Sequence, residues 1–241
     1  VFGYDSFRPF QESIINRSIQ GKDNIVIMPT GGGKSLCYQI PALERSGCAI
    51  IISPLISLMQ DQVLSLKQLG VAAFLWNSTL TYIEIEELKD EIQSGKVDLL
   101  YVSPERVVMD DFLAFMKTIP LSLIAIDEAH CISEWGHDFR PSYRDLKRVK
   151  LAFPTIPFMA LTATATEKVI RDIQAQLDMQ EAEVFKSGFN RANLYYEVRQ
   201  KKNTMTELLS FISTRQDQAG IVYCQSRKTV ESVTEKLCAQ G

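Results

Sequence analysis

Short apolar runs return along this chain with amphipathic stretches between them, and that alternation limits the fold more than any other feature. The runs lie at 25–28, 49–52, 72–75, 99–102, 123–126 and 158–161. A strand that is apolar throughout must be covered on both faces, and strands joined through helices run parallel. The expected fold is therefore α/β, a mostly parallel sheet with helices on both faces. Its βα turns should gather along one edge, where open sheets of this kind bind ligands. With 241 residues, 46% of them hydrophobic, the chain can bury one good core or one core plus part of another.

Beyond 161 the pattern predicts a helix over 166–177, a short strand at 184–185 and a polar crossing through Asn190, Arg191 and Asn193. A new unit begins near Lys202 and reads as helix 204–214, strand 220–224 and helix 229–239. Three elements do not close a core of their own. The expected division is one domain over 1–195 and the start of a second over 196–241.

Two of the turns carry chemistry. Pro29, Thr30, Gly31, Gly32, Gly33, Lys34 and Ser35 follow the first apolar run and precede a helical stretch. Glycines there let backbone NH groups wrap phosphates at a positive helix end. Lys34 would reach the β- and γ-phosphates and the Ser35 hydroxyl would ligate magnesium. The general phosphate-loop pattern opens with a glycine where this chain has Met28, so the match is partial. Asp127 and Glu128, with Ala129 and His130, follow the apolar run ending at 126. Asp127 is placed to hold magnesium, and Glu128 to orient or deprotonate an attacking water. Either turn alone is commonplace; together they imply ATP and Mg2+ as cofactors and phosphoryl transfer as the chemistry.

Composition narrows the partners. A net charge of -3 gives no global basic signal, so contact with nucleic acid must come from local patches. No apolar run approaches the ~20 residues that span a bilayer, and no secretory signal opens the chain. No membrane partner and an intracellular setting are expected, cytoplasmic and nucleoid-associated in a bacterium or nuclear in a eukaryote. The five cysteines are odd in number and contain no C-x-x-C pair, which reads as small buried core residues rather than ligands or disulfides.

Seven ordered stretches resemble the motifs of the RecQ family of ATP-dependent DNA helicases, in helicase superfamily two. Phe2, Gly3, Tyr4, Phe7, Arg8, Pro9 and Gln11 resemble the adenine-recognition motif, and MPTGGGKSLCYQIPAL (28–43) resembles motif I, Met28 included. SPLISLMQDQV (53–63) resembles motif Ia, SPER (103–106) motif Ib, and DEAHCISEWGHDFRPSY (127–143) motif II running into an aromatic-rich loop. LTATAT (161–166) resembles motif III and IVYCQSR (221–227) motif IV. The resemblance implies a RecA-like phosphate-loop domain followed by an incomplete second RecA-like lobe. It also implies single-stranded and partly duplex DNA as partners, and movement from 3′ to 5′ on the strand.

Particular residues follow from that match. The Gln11 amide offers one acceptor and two donors, which suits the adenine edge and rejects guanine; Tyr4 and Arg8 would flank the base, although core packing also explains an aromatic near a chain start. Trp135, His137, Phe139 and Arg140 form the loop that in the family senses DNA and couples it to ATP hydrolysis. Stacking on bases tolerates any sequence; for a generic loop Trp135 and Phe139 read first as core anchors, and the resemblance reverses that order. Ser57, opening a helix after Pro54, is a candidate for the strand backbone. Thr162 and Thr164 are candidate couplers of the two sites, and His130 a polar relay. Arg140, Arg144, Lys147 and Arg148 recur at helical spacing and read either as phosphate contacts or as a solvated face.

The family's motif VI arginine, worth about 10³–10⁵ in rate where such a group acts, has no counterpart in these residues. The 241 residues are expected to bind ATP with magnesium and hydrolyse it poorly. Two alternatives remain: an RNA helicase or duplex translocase, and a regulatory module that binds nucleotide and nucleic acid without turnover.

Overall fold

The computed structural model describes residues 1–136, 138–188 and 194–239. It divides into two compact units, Val1–Asn190 and Arg191–Gly241. In the first, seven strands form one sheet: β1 (Asn24–Ile27), β2 (Cys48–Ile52), β3 (Ala73–Trp76), β4 (Leu99–Val102), β5 (Leu121–Ile126), β6 (Phe158–Thr162) and β7 (Glu183–Lys186). Their order is β3-β4-β2-β5-β6-β1-β7, and each recorded pairing is parallel. The apolar runs become strands within one or two residues of the expected bounds. The helix expected over 166–177 spans Glu167–Gln176, with the Thr166 side chain accepting from the Val169 NH as its cap.

Strand alternation divides the core in two. Ile50 and Ile52 join a cluster with Leu88, Phe112, Tyr143, Leu146 and Ile173. Ala49 and Ile51 join the opposite cluster with Ile14, Tyr38, Met59 and Leu66. One face is therefore covered by α1 (Gln11–Ile19), α2 (Lys34–Glu44) and α3 (Ile56–Gln68). The other is covered by α4 (Tyr82–Gln93), α5 (Pro104–Val107), α6 (Asp110–Met116), α7 (Pro141–Arg144), α8 (Leu146–Ala152) and α9 (Glu167–Gln176). Ile25, Val26, Ile50, Ile51, Leu99 and Ile126 are fully buried; each contributes about 1.5–3 kcal/mol of apolar transfer. Cys37, Cys48 and Cys131 are buried among them and burial pushes each thiol up to about 12, whereas Cys224 is half-buried and Cys238 exposed.

The second unit contains α10 (Thr204–Ser213) and α11 (Arg227–Cys238). The strand expected at 220–224 does not form: these residues have no ladder, and Ile221 and Tyr223 are 79% and 89% exposed. A strand needs a neighbour for its backbone groups, and this unit offers none among its described residues. The expected polar crossing at Asn190, Arg191 and Asn193 lies outside the described residues.

Candidate functional site

A cavity of about 760 Å³ lies at the carboxyl edge of the first unit's sheet, walled by the turns after β1, β2 and β5. The turn between β1 and α2 suits glycine alone. Gly31 and Gly33 have φ of 75° and 85°, where a Cβ is disfavoured. A Cβ on Gly32 would sit 2.8 Å from the Pro29 carbonyl oxygen, and one on Gly33 would collide with the Gln11 amide nitrogen. Gly33 caps α2, so the helix's positive end lies at the cavity wall, which Gly33, Lys34 and Ser35 line. Lys34 Nζ donates to the Met28 carbonyl at 3.0 Å across the turn.

Gln11 is almost wholly buried beneath this turn. Its Oε1 accepts from the Arg8 NH at 2.7 Å, and its Nε2 donates to the Gly33 carbonyl at 3.0 Å. An NH only donates and a carbonyl only accepts, so these partners fix the orientation of the amide. The Arg8 guanidinium donates to the Gly31 carbonyl. The structure thus brings Gln11 and Arg8 to the loop but spends part of each on its backbone; pairing of Gln11 with a base edge would use its remaining N–H and lone pair. Tyr4 and Thr30 are exposed and line the same cavity.

Asp127 directly follows β5. Its NH donates to the Ile52 carbonyl at 2.8 Å, and the buried Tyr143 hydroxyl donates to its carbonyl at 2.8 Å. Burial, followed by the neighbouring Glu128 carboxylate, raises the Asp127 carboxyl to about 6, with Lys34 and His130 pulling the other way. A buried carboxylate beside another is a natural cation site. Ser35 and Asp127 both border the cavity and fit magnesium, which takes few protein ligands and leaves its other positions to phosphate oxygens and water. Among the described residues no group of three or more His, Cys, Asp and Glu is placed to hold a metal by itself.

Glu128 adopts φ 49° and ψ 41°, a left-handed conformation uncommon outside glycine. The backbone then enters a 3-10 turn, Ala129–Ile132, that buries His130. His130 Nδ1 lies 3.2 Å from the Glu128 carboxylate and 2.8 Å from Thr162 Oγ1. Thr162 Oγ1 also lies 3.2 Å from the Thr164 carbonyl, and the Glu128 carboxylate, which only accepts, is met by a proton on His130 Nδ1 in the tautomer that links all three groups. A continuous polar chain therefore runs from Glu128 through His130 to the turn after β6.

The aromatic segment leaves the end of that 3-10 turn. Trp135 is 62% exposed, with Lys168 Nζ 3.1 Å from its ring centroid. At its base, Ser133 Oγ donates to the Asp172 carboxylate at 2.6 Å and accepts from the Trp135 NH at 3.2 Å. Phe139 is half-buried under the Arg144 guanidinium, which also pairs with Glu134 at 3.0 Å. Arg140 turns back to Asp138 at 3.1 Å and to the Pro54 carbonyl at 3.4 Å. Arg148 pairs with Asp110 at 2.7 Å, so Arg144 and Arg148 of the basic row serve internal pairs. Ser57 is exposed in the first turn of α3, and His137 lies outside the described residues. Sequence reasoning passed over Lys168 and Asp172, whose partners are distant in the chain, and gave no individual role to Ser53 and Tyr143, the end residues of the stretches resembling motif Ia and motif II.

A family model described as DEAD/DEAH box helicase matches residues 8–173. The whole chain is similar to the ATP-dependent DNA helicase RecQ of Pasteurella multocida, 47% identical over 241 residues that make up 38% of that protein. It is 44% identical to the ATP-dependent helicase SGS1 of Saccharomyces cerevisiae, with all of this chain matched and 17% of that one. The fold resembles the crystal structure of the DUF1998 helicase MrfA, with a TM-score of 0.72, 18% identity, and coverage of 99% of this chain and 39% of that one. The chain thus spans well under half the length of these relatives.

Proposed function

The chain belongs to the DEAD/DEAH box helicase family, and on that premise we propose that it is the ATP-binding part of a RecQ-like DNA helicase. The single observation that carries the reading is the meeting of two distant turns at one cavity. Gly33, Lys34 and Ser35 come to it from one side, and Asp127 and Glu128 from the other. Bound ATP with magnesium supplies a γ-phosphoryl group activated for transfer to water.

The chain's own residues bind and orient. Backbone NH groups of the glycine turn and the Lys34 ammonium offset phosphate charge, and Ser35 with Asp127 holds the cation. Glu128 holds a carboxylate where a water can be oriented, and His130 holds Glu128 against Thr162. The exposed Trp135 face, adjoining this relay, offers a stacking platform for single-stranded bases. Coupling ATP turnover to 3′-to-5′ stepping and to duplex unwinding belongs to the whole protein in this reading. The 241 residues alone turn ATP over slowly, because their sequence offers no counterpart of the family's motif VI arginine.

Steady-state ATP turnover, alone and with single-stranded DNA or RNA added, tests this. Low turnover stimulated by DNA and not by RNA is expected. Equal stimulation by RNA and DNA would contradict the DNA reading, and failure to bind ATP at all would contradict the site.

A further inference from the structure

Ser53 directly follows β2 and is 2% exposed. Its NH donates to the Val102 carbonyl at 3.1 Å, which fixes its backbone. Its hydroxyl, by contrast, is buried with no hydrogen-bond partner. Buried hydroxyls are nearly always paired, so an unpaired one calls for an explanation.

The sheet register supplies one. Ile52 pairs with Ile126 on the adjacent strand, and both belong to the core cluster facing α4 to α9. Strand alternation sends the next residues, Ser53 and Asp127, to the opposite face, toward α2. Both line the cavity, as does Ser35. Resting on the proposed nucleotide site, we infer that the Ser53 hydroxyl is a positioning group for the magnesium held by Asp127 and Ser35, hydrogen-bonding a water of the cation's hydration shell. Magnesium keeps several of its waters when bound, and such outer-shell partners commonly hold about 10- to 100-fold of metal affinity. Ser53 would then be the residue through which the motif Ia turn registers the loaded site.

The test compares Ser53→Ala and Asp127→Asn with the parent chain, measuring affinity for a fluorescent ATP analogue across a magnesium titration and in EDTA, together with thermal midpoints. Ser53→Ala should need about ten-fold more magnesium for half-maximal nucleotide binding. Its affinity in EDTA should match the parent, and its midpoint without ligand should equal or exceed the parent's, because the buried hydroxyl has no protein partner to lose. A Ser53→Ala magnesium curve that matches the parent while Asp127→Asn shifts would overturn the inference. So would a lowered Ser53→Ala midpoint with equal weakening in EDTA, which marks a structural role. If Asp127→Asn also leaves the magnesium curve unmoved, the proposed cation site falls first and takes this inference with it.

Discussion

The glycine turn and the aromatic loop flank one polar relay, yet they differ in what they leave exposed. The turn is set by its main chain: two positive φ angles, no room for a Cβ at Gly32, and carbonyls tied to Gln11 and Arg8. The loop shares a main-chain constraint at Gly136, where a Cβ would meet the His130 carbonyl, but adds side-chain ties at its base, with Ser133 on Asp172 and Arg144 on Glu134, and leaves Trp135 62% exposed beside Lys168. A phosphate presents one shape, and a cradle formed in advance loses little entropy on binding it. A strand presents any base, so a flat exposed ring serves better than a shaped pocket. On the proposed function, rigidity is placed where the ligand is constant, and exposure where it varies.

The contrast can be broken most sharply at Lys34. Lys34→Ala would remove the proposed charge-assisted phosphate contact, worth about 1.5–3 kcal/mol, so ATP affinity should fall roughly 10- to 150-fold. Titration with a fluorescent ATP analogue reads this, and single-stranded DNA affinity should hold. Trp135→Ala is the mirror experiment. Losing one stacked base costs about 1–3 kcal/mol, so DNA affinity by fluorescence anisotropy should drop about 5- to 150-fold with ATP affinity unchanged. Equal loss of both ligands in either variant would erase the distinction between the two regions.

Gly33→Ala forces a side chain into the left-handed region at roughly 1–2 kcal/mol, and against Gln11 as well. ATP affinity should fall about 5- to 30-fold, short of Lys34→Ala, with little effect on DNA. Asp172→Asn keeps an acceptor for Ser133 but removes its charge, so DNA affinity should weaken only a few-fold while ATP affinity stays. Last comes pH. The Asp127 carboxyl, raised to about 6 by burial and Glu128, binds a proton more tightly folded than unfolded. Its ionisation therefore subtracts stability as pH rises from the unfolded value of 3.8 through about 6. The same proton competes with magnesium, so magnesium-dependent ATP affinity should fall about four-fold between pH 7.5 and 5.5. A flat profile would place Asp127 away from the cation.

What was legible in the sequence follows the same division. Strands β1 to β6 were readable because each is an apolar run, a local property, and the glycine turn because its geometry demands glycine. The apolar run at 220–224 misled, since an apolar pattern becomes a strand only beside another strand. The exposure of Trp135 was not legible, because an aromatic loop looks the same whether it packs inward or faces solvent. Gln11 on Gly33, Ser133 on Asp172 and the unpaired Ser53 were hidden for a different reason: each depends on residues that meet only after the sheet has assembled.

In the proposed function one nucleotide site and one exposed strand-binding loop share the relay of Glu128, His130 and Thr162. Linkage makes that measurable: single-stranded DNA affinity should differ with and without a non-hydrolysable magnesium–ATP analogue, by at least about five-fold if the sites are coupled. A shift of that size, lost in Thr162→Val, is the predicted result. Identical DNA affinity in the two conditions would contradict it.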